Sequence, residues 1–232
     1  MKLTALMGGT LIGLSMLFTG CTSMQSQSTS IPQNIQQQLN TQQPIISYFS
    51  KTPNDQDCGC ASTIDPTYSL IPIEDGYYRT LIGRDKDGRF LVQDFYQKNQ
   101  KPQSSPIWIK EPLGLFSFEN KYVSGPVTLY YPNGKTSYIG TLEDGQEVGK
   151  SQSFYSNGQI GIESEILSDD SSAQKLWYSN GKKAAEIFVS ENSSIQVSDA
   201  KVWTKDGELV EDQSEQAEIL QQIYDELEEE IN

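Results

Sequence analysis

The amino-acid sequence predicts a mainly β fold, a single-layer antiparallel meander of repeated β-hairpins followed by a C-terminal amphipathic helix. Three observations predict this class. Asn-Gly or Asp-Gly turns recur at regular intervals in the second half of the chain, aromatic residues precede those turns, and the end of the chain changes to helical spacing. Regular recurrence of one unit is typical of arrays, in which each unit buries its apolar side against its neighbours.

The recurring turns lie within residues 125–210. Their glycines follow one another at intervals of 24, 23 and 26 residues. Asn-Gly and Asp-Gly supply the positive φ angles that tight hairpin turns require. Each unit is therefore predicted as strand, turn, strand and second turn, and the second turn is clearest at Asp144-Gly145. The four main turns are Asn133-Gly134, Asn157-Gly158, Asn180-Gly181 and Asp206-Gly207.

An aromatic residue stands four positions before each of these four glycines, and a second one stands three positions before the first three. Adjacent residues of a strand face opposite sides of a sheet, so each pair places one aromatic side chain on each face. One set is expected to pack in the core, and the other either packs for stability or forms a binding surface. These residues are Tyr130, Tyr131, Phe154, Tyr155, Trp177, Tyr178 and Trp203.

One unit resembles the bacterial variant of the MORN repeat. Asp144-Gly145-Gln146-Glu147-Val148-Gly149 matches its DGxxxG element, and Phe154-Tyr155-Ser156-Asn157-Gly158 matches the aromatic and Asn-Gly half that follows. The other units keep the second half and lose the first. The resemblance implies a single-layer antiparallel sheet used for binding or scaffolding, without catalytic residues. Some members of this family are described as antitoxins.

Residues 57–124 are predicted as an N-terminal β region, with degenerate copies of the same unit as one interpretation. Phe95-Tyr96 precedes Asn99-Gln100, in which Gln stands where Gly is expected. Asp85 and Asp87 resemble the start of a calcium loop. The remaining ligand positions are wrong for an EF-hand, so a plain hairpin turn is favoured.

Residues 211–232 are predicted as an acidic amphipathic helix. Asp212-Gln213-Ser214-Glu215 has a capping-box pattern, and apolar residues recur at helical spacing after it. The helix is expected either to cap the open end of the sheet, as terminal repeats require, or to dock onto a partner. The apolar stripe consists of Ala217, Leu220, Tyr224, Leu227 and Ile231, widened by Ile219 and Ile223.

The charge of the chain is concentrated at the same end. The 232 residues include 17 Lys and Arg against 31 Asp and Glu, for a formal charge of −14. Residues 206–232 hold 11 of the acidic residues and no Lys or Arg. A nucleic-acid partner is not expected, because proteins bind phosphate backbones through clustered Lys and Arg, whereas this chain is strongly acidic. A basic protein partner is expected at the C-terminal end.

The sequence contains no His, which excludes a Ser-His-Asp triad, a Cys-His dyad and an HExxH zinc site. No catalytic residue, cofactor or metal ligand is predicted, and the chain is not expected to be an enzyme. The least favoured alternative is a carboxylate-based glycan hydrolase, which needs two carboxylates in one cleft. Its candidates, Glu163 and Glu165, are better explained as solvent-facing residues of a strand.

Residues 1–20 have the features of a secretory signal peptide, with Lys2 before an apolar run that ends at Phe18. Leu17-Phe18-Thr19-Gly20-Cys21 resembles the bacterial lipobox, with Phe18 in the place usually held by Leu. By that resemblance Cys21 becomes the lipidated N-terminus, and Thr22 favours the outer membrane. Plain signal-peptidase cleavage and an uncleaved anchor are the alternatives.

Residues 21–56 are predicted as the lipidated Cys followed by a flexible tether rich in Gln and Ser. Few apolar side chains occur in 22–43, so this stretch cannot bury enough apolar surface to offset the entropy of ordering it. Cys58 and Cys60 follow in an exported, oxidising setting, where a local disulfide is the default. An intermolecular bridge and a redox or metal role are the alternatives.

These features predict a lipoprotein anchored in the outer membrane on its periplasmic side, with surface exposure as the alternative. The expected function is a non-enzymatic protein-binding or scaffold module whose partner is another envelope protein. The runner-up is an immunity protein or antitoxin that neutralises a toxin, suggested by the MORN resemblance and by the acidic C-terminal end.

Replacement Cys21→Ser is expected to abolish lipid attachment, because it removes the thiol that the lipobox presents for acylation. Cells fed radiolabelled palmitate should label the wild-type chain and the matched control Cys58→Ser, but not Cys21→Ser. Label that persists in Cys21→Ser would show that the lipobox assignment is wrong.

Overall fold

The computed structural model describes residues 44–51, 67–168, 171–190 and 200–231. Within these residues the fold is mainly antiparallel β, with two short 3-10 helices (Pro112–Phe116 and Asn120–Tyr122) and one α-helix, which lies at the C-terminal end, so the predicted class and the predicted helix are confirmed. The strands form two sheets rather than the single layer expected from the sequence. The signal peptide, Cys21, Cys58 and Cys60 lie outside the described residues.

The first sheet has five strands in the order β2-β1-β3-β4-β5. Its first strand corrects the predicted tether, which was expected to extend to residue 56. Phe49 is fully buried against the ring of Phe118, and this burial offsets the entropy of ordering the strand. The strands are β1 (Ile45–Phe49), β2 (Tyr68–Ser69), β3 (Tyr77–Arg84), β4 (Phe90–Tyr96) and β5 (Ile107–Ile109).

A hairpin turn joins β3 to β4, as the sequence predicts. The carboxylate of Asp85 accepts hydrogen bonds from the backbone N–H groups of Asp87 and Arg89 and from the Arg89 guanidinium. The Asp85 side chain therefore closes the turn by accepting hydrogen bonds from backbone N–H groups of the turn itself, which is ordinary turn chemistry.

The second sheet has nine strands, and its order follows the chain except that β8 pairs only with β7. The glycines of the four predicted turns have φ angles between 83° and 95°, the region that favours glycine. The strands are β6 (Gly125–Tyr130), β7 (Thr136–Glu143), β8 (Gln146–Glu147), β9 (Lys150–Phe154), β10 (Ile160–Ser168), β11 (Ser171–Trp177), β12 (Lys183–Ser190), β13 (Lys201–Trp203) and β14 (Leu209–Val210).

Each of three hairpins contains a β-bulge just after its turn, and a small buried residue occupies the bulge. Register shifts separate Thr136 from Tyr138, Ile160 from Ile162 and Lys183 from Ala185. A bulge increases local twist and re-aims the strand. The small residues at the bulges are Ser137, Gly161 and Ala184.

A ladder of tyrosine hydroxyl groups runs along the hairpin ends and joins the two sheets. In each case the phenol donates to a backbone carbonyl of the following hairpin, at 2.5 to 2.9 Å. The first step of this tyrosine ladder crosses from β4 to β6, where the bridges of Phe95 with Pro102 and of Ser104 with Leu129 continue the pairing. The four bonds are Tyr96 to Tyr130, Tyr131 to Phe154, Tyr155 to Trp177 and Tyr178 to Trp203.

Asparagine side chains form a second ladder beside the tyrosines. The amide nitrogens of Asn99, Asn133 and Asn157 donate to backbone carbonyls of the next turn at 2.8 to 3.0 Å. Each amide oxygen accepts the backbone N–H two residues later, as in an Asx turn. Gln100 has a φ of 57° where the other turns have glycine, so the unit in the first sheet has the same turn geometry without the glycine.

The C-terminal helix α1 (Gln213–Ile231) lies over one face of strands β10–β14. Asp212 caps it by accepting the N–H groups of Ser214 and Glu215. The predicted apolar stripe is wrong at Ala217, which is exposed. The neighbouring Gln216 is buried instead, and its side-chain amide donates a hydrogen bond to the carbonyl of Val210. The helix buries Leu220, Ile223 and Leu227 against the sheet residues Ile162, Leu176, Ala185, Val202 and Val210.

Gly161→Ala is expected to destabilise the protein by about 1–2 kcal/mol, because its Cβ would lie 2.7 Å from Cδ2 of the buried Leu227. Gly83→Ala is the matched control, since open space surrounds the Cβ position there. Urea denaturation measures both. In a Leu227→Ala background the cost of Gly161→Ala should disappear, and an unchanged cost would contradict this contact.

Candidate functional site

The nine-stranded sheet has two chemically different faces. On one face, which we call the covered face, α1 packs against β10–β14 and the five-stranded sheet packs against β6 and β7. The cross-strand register Tyr138, Ser153, Ile162 and Leu176 places these contacts on the same face. No described element packs on the opposite face, which we call the uncovered face.

The predicted aromatic pairs divide between these faces. Tyr131, Tyr155 and Tyr178 lie on the covered face and are at most 2% exposed. They are the donors of the tyrosine ladder, so they supply both packing and hydrogen bonds to the core. The first member of each pair lies on the uncovered face and is partly exposed, as is Trp203, whose following residue is Thr204. The aromatic row on this face consists of Tyr130, Phe154, Trp177 and Trp203.

The aromatic row has regular spacing, because its members lie on alternate strands. Two strand separations place successive rings about 10 Å apart. Their cross-strand partners Thr136, Ile160 and Lys183 lie between successive members, and Leu209, the partner of Trp203, lies beyond the end of the row on the edge strand β14. Leu209 is 58% exposed beside Trp203, and the Lys183 ammonium lies 5.7 Å from the centre of the Trp203 ring. The row is therefore a regular series of aromatic side chains, interrupted by Thr136 and Lys183, with a cation–π contact at one end.

Next to the aromatic row, the uncovered face carries charges of alternating sign. Cross-strand neighbours in one register are Gln152, Glu163, Lys175, Glu186 and Lys201. A hydrogen bond from Lys183 lowers the pKa of Glu186 below its usual value. The opposite signs balance, and exposed pairs of this kind contribute little to stability.

The two carboxylates proposed for glycan hydrolysis lie on this open face. Glu163 is 3.6 Å from the Lys175 ammonium, and Glu165 is 3.4 Å from that of Lys150. Each carboxylate is thus paired with a lysine of the neighbouring strand. The strand presents both to solvent, as the sequence predicts for solvent-facing residues.

A cavity of about 440 Å³ lies between the two sheets, on the covered face of β6 and β7. Sequence analysis did not identify it, because it forms where two sheets of distant sequence meet. Its polar lining includes Arg79, Asp94, Gln103, Tyr138 and Glu147. Its apolar lining consists of Ile107, Phe118, Val123, Val127, Leu129 and Leu142.

A buried ion pair forms one side of this inter-sheet cavity. Arg79 donates from Nε and Nη2 to the two carboxylate oxygens of Asp94, at 2.7 and 2.8 Å, and both residues are 1% exposed. Nη1 donates to the carbonyls of Gly114 and Ser117. The guanidinium also lies 5.1 Å from the ring centres of Phe49 and Phe118. The pair is therefore bidentate and neutral as a unit.

Further polar residues that line the inter-sheet cavity are Gln103, Ser117, Asn120, Tyr138 and Glu147. Tyr138 donates its phenol hydrogen to the Glu147 carboxylate, and its ring lies over Gly140. Burial, and secondarily the Glu147 carboxylate, raise the pKa of the Tyr138 phenol above its usual value. Gln103 has a buried amide oxygen without a hydrogen-bond partner among the described residues.

The remaining predicted turn lies at the edge of this region. Asp144 has a φ of 52° and Gly145 a φ of 83°, which makes a tight turn between β7 and β8. The Asp144 carboxylate is 2.5 Å from the ammonium of Lys110.

Within 44–51, 67–168, 171–190 and 200–231 no cluster of three or more metal-ligating acidic, Cys or His side chains occurs. The described part of the chain also has no helix with the length and apolarity of a membrane span.

Adjacent aromatic residues are expected to differ sharply in their contribution to stability. Tyr155→Ala should cost about 3 kcal/mol or more, because it empties a core position and removes a ladder bond. Phe154→Ala should cost about 1 kcal/mol or less, because its ring is partly exposed. Urea denaturation of both variants measures the difference, and equal costs would mean that the aromatic row is also structural.

Comparison with known proteins found no match to this chain among family models, curated proteins or solved structures. The MORN resemblance of Asp144–Gly158 therefore stays a prediction, and the recurring turns, the tyrosine ladder and the two sheet faces stand as features of the structure itself.

Proposed function

We propose that this chain is a lipid-anchored protein of the bacterial cell envelope that binds another envelope protein through the uncovered face of its nine-stranded sheet. The aromatic row carries this proposal. Four aromatic side chains lie in register on a face that no described element covers. Aromatic residues that are partly exposed and close together are typical of interface hot spots.

The core does not need the aromatic row. Tyr131, Tyr155 and Tyr178 already fill the opposite face and form the tyrosine ladder. A sheet stabilised in that way could carry polar side chains at the other aromatic positions. Partly exposed Trp177 and Trp203 lower the solubility of the chain, and a role in docking a partner would explain why aromatic residues occur there.

The partner is a folded protein with an apolar strip flanked by charges of both signs. The alternating lysines and glutamates beside the aromatic row are nearly balanced, so no single sign of charge is selected. The lipobox resemblance at Cys21 supports a partner in the envelope. The MORN resemblance supports a binding or scaffolding role and adds no catalytic residue.

An immunity protein or antitoxin is the second candidate, and the helix α1 provides the observation that favours it. Its outer side exposes acidic groups, and its last turn contains no basic residue. A basic toxin would be attracted to this surface by charge complementarity. That partner would contact the helix rather than the aromatic row. The exposed acidic residues are Glu215, Glu218, Asp225, Glu228 and Glu229.

Site-specific photo-crosslinking in intact cells separates the two candidates. A benzoylphenylalanine at Leu209 lies beside the aromatic row, whereas one at Glu218 lies on the outer side of α1. We expect one stoichiometric adduct from position 209, lost in the double variant Trp177→Ala, Trp203→Ala, and none from position 218.

The outcomes differ for each hypothesis. An adduct from position 218 alone supports a partner of the acidic helix and contradicts docking on the sheet. An adduct from position 209 that persists in the double variant would show that crosslinking does not depend on the aromatic row, which also contradicts docking on the sheet. If both positions give only the uncrosslinked chain, the binding function is wrong.

A further inference from the structure

We propose that the inter-sheet cavity binds a small organic amine, an apolar body that carries one protonated amino group. This site is separate from the docking surface of the proposed function, because it opens on the covered face of β6 and β7. Its volume of about 440 Å³ falls in the range typical of small-molecule sites.

The side chains that line the inter-sheet cavity favour a ligand with an apolar body. Val127 and Leu142 belong to the buried cluster between the sheets, and Leu129 packs against that cluster. The ring of Phe118 closes the side next to Arg79. A ligand that fills this space removes apolar surface from water on both partners, which stabilises the complex.

The polar groups select a hydrogen-bond donor. The amide oxygen of Gln103 is buried and has no partner in the described part of the chain. A buried acceptor of this kind is destabilising until a donor satisfies it. Glu147 presents a carboxylate that accepts only one bond, from Tyr138, in the described structure. Both groups accept hydrogen bonds, and an ammonium group donates three.

The charges select a cation over an anion. Asp94 neutralises Arg79, and four of the five guanidinium N–H donors are already used. None of the ion pairs among the described residues includes Glu147. The unbalanced charge of the cavity is therefore negative. A carboxylate or phosphate ligand would meet the Glu147 carboxylate, and the lining residues offer it the amide groups of Gln103 and Asn120 but no unpaired cation.

Three probes with the same ring and different head groups test this proposal: benzylamine, benzyl alcohol and benzoate. Titration of the mature chain, followed by amide resonances in NMR, measures the affinity and the location of binding. We expect benzylamine to bind most tightly, benzyl alcohol more weakly and benzoate not measurably. The shifted resonances should belong to Gln103, Tyr138 and Leu142.

Variants identify the groups responsible. Glu147→Gln should weaken benzylamine about tenfold and leave benzyl alcohol unchanged, because one charge-assisted hydrogen bond is lost. Glu165→Gln is the matched control on the uncovered face and should leave all three probes unchanged. Val127→Phe fills the cavity and should abolish binding of every probe.

Several outcomes would overturn the proposal. Benzoate that binds as tightly as benzylamine would show that charge does not select the ligand. Equal weakening of benzylamine by Glu165→Gln and Glu147→Gln would show a general surface effect. Shifts confined to the aromatic row, or no shifts with any probe, would show that the cavity is not a ligand site. Because Glu147→Gln keeps the shape of the side chain, it tests the site even if Val127→Phe does not fold.

Discussion

The hydrogen bond from each buried tyrosine hydroxyl to the next hairpin is the constraint on which the rest of this structure depends. The phenol of Tyr155 lies in the core and donates to the carbonyl of Trp177, so it fixes the spacing and orientation of successive hairpins at once. The same bond from Tyr96 joins the first sheet to the second. The ladder ends where Thr204 stands in place of a tyrosine, and only the two-residue strand β14 follows before the helix.

This constraint also determines what each face of the sheet is available to do. A strand alternates its side chains, so a tyrosine that points into the core forces the preceding aromatic residue outward. Gly161 then allows α1 to approach the covered face closely, and the five-stranded sheet covers the same face at β6 and β7. The partly exposed aromatic row, for which we propose a binding role, and the stabilising tyrosine ladder are thus two consequences of one dipeptide.

The sequence predicted the features that depend on local chemistry. The glycine turns follow from the positive φ angles, and the helix follows from its cap at Asp212 and its apolar period. The pair of Arg79 and Asp94 was not predictable in the same way. A strand pattern assigns such residues to solvent, and their burial depends on carbonyls of Gly114 and Ser117, which lie 35 and 38 residues away from Arg79. Arg79 and Asp94 are cross-strand partners within the first sheet, and their burial depends on how the chain between β5 and β6 packs over that sheet.

The inter-sheet cavity follows from the same packing. The buried ion pair occupies space that apolar side chains would otherwise fill, and its retention is not explained by stability, since apolar replacements of buried pairs are often at least as stable. It does keep the polar side of the cavity neutral, which leaves Glu147 as the charge that a ligand meets. Leu129 lines this cavity while the adjacent Tyr130 belongs to the aromatic row. Strand β6 therefore contributes to both the cavity and the aromatic row, and the tyrosine ladder fixes its C-terminal end, where Leu129 and Tyr130 lie.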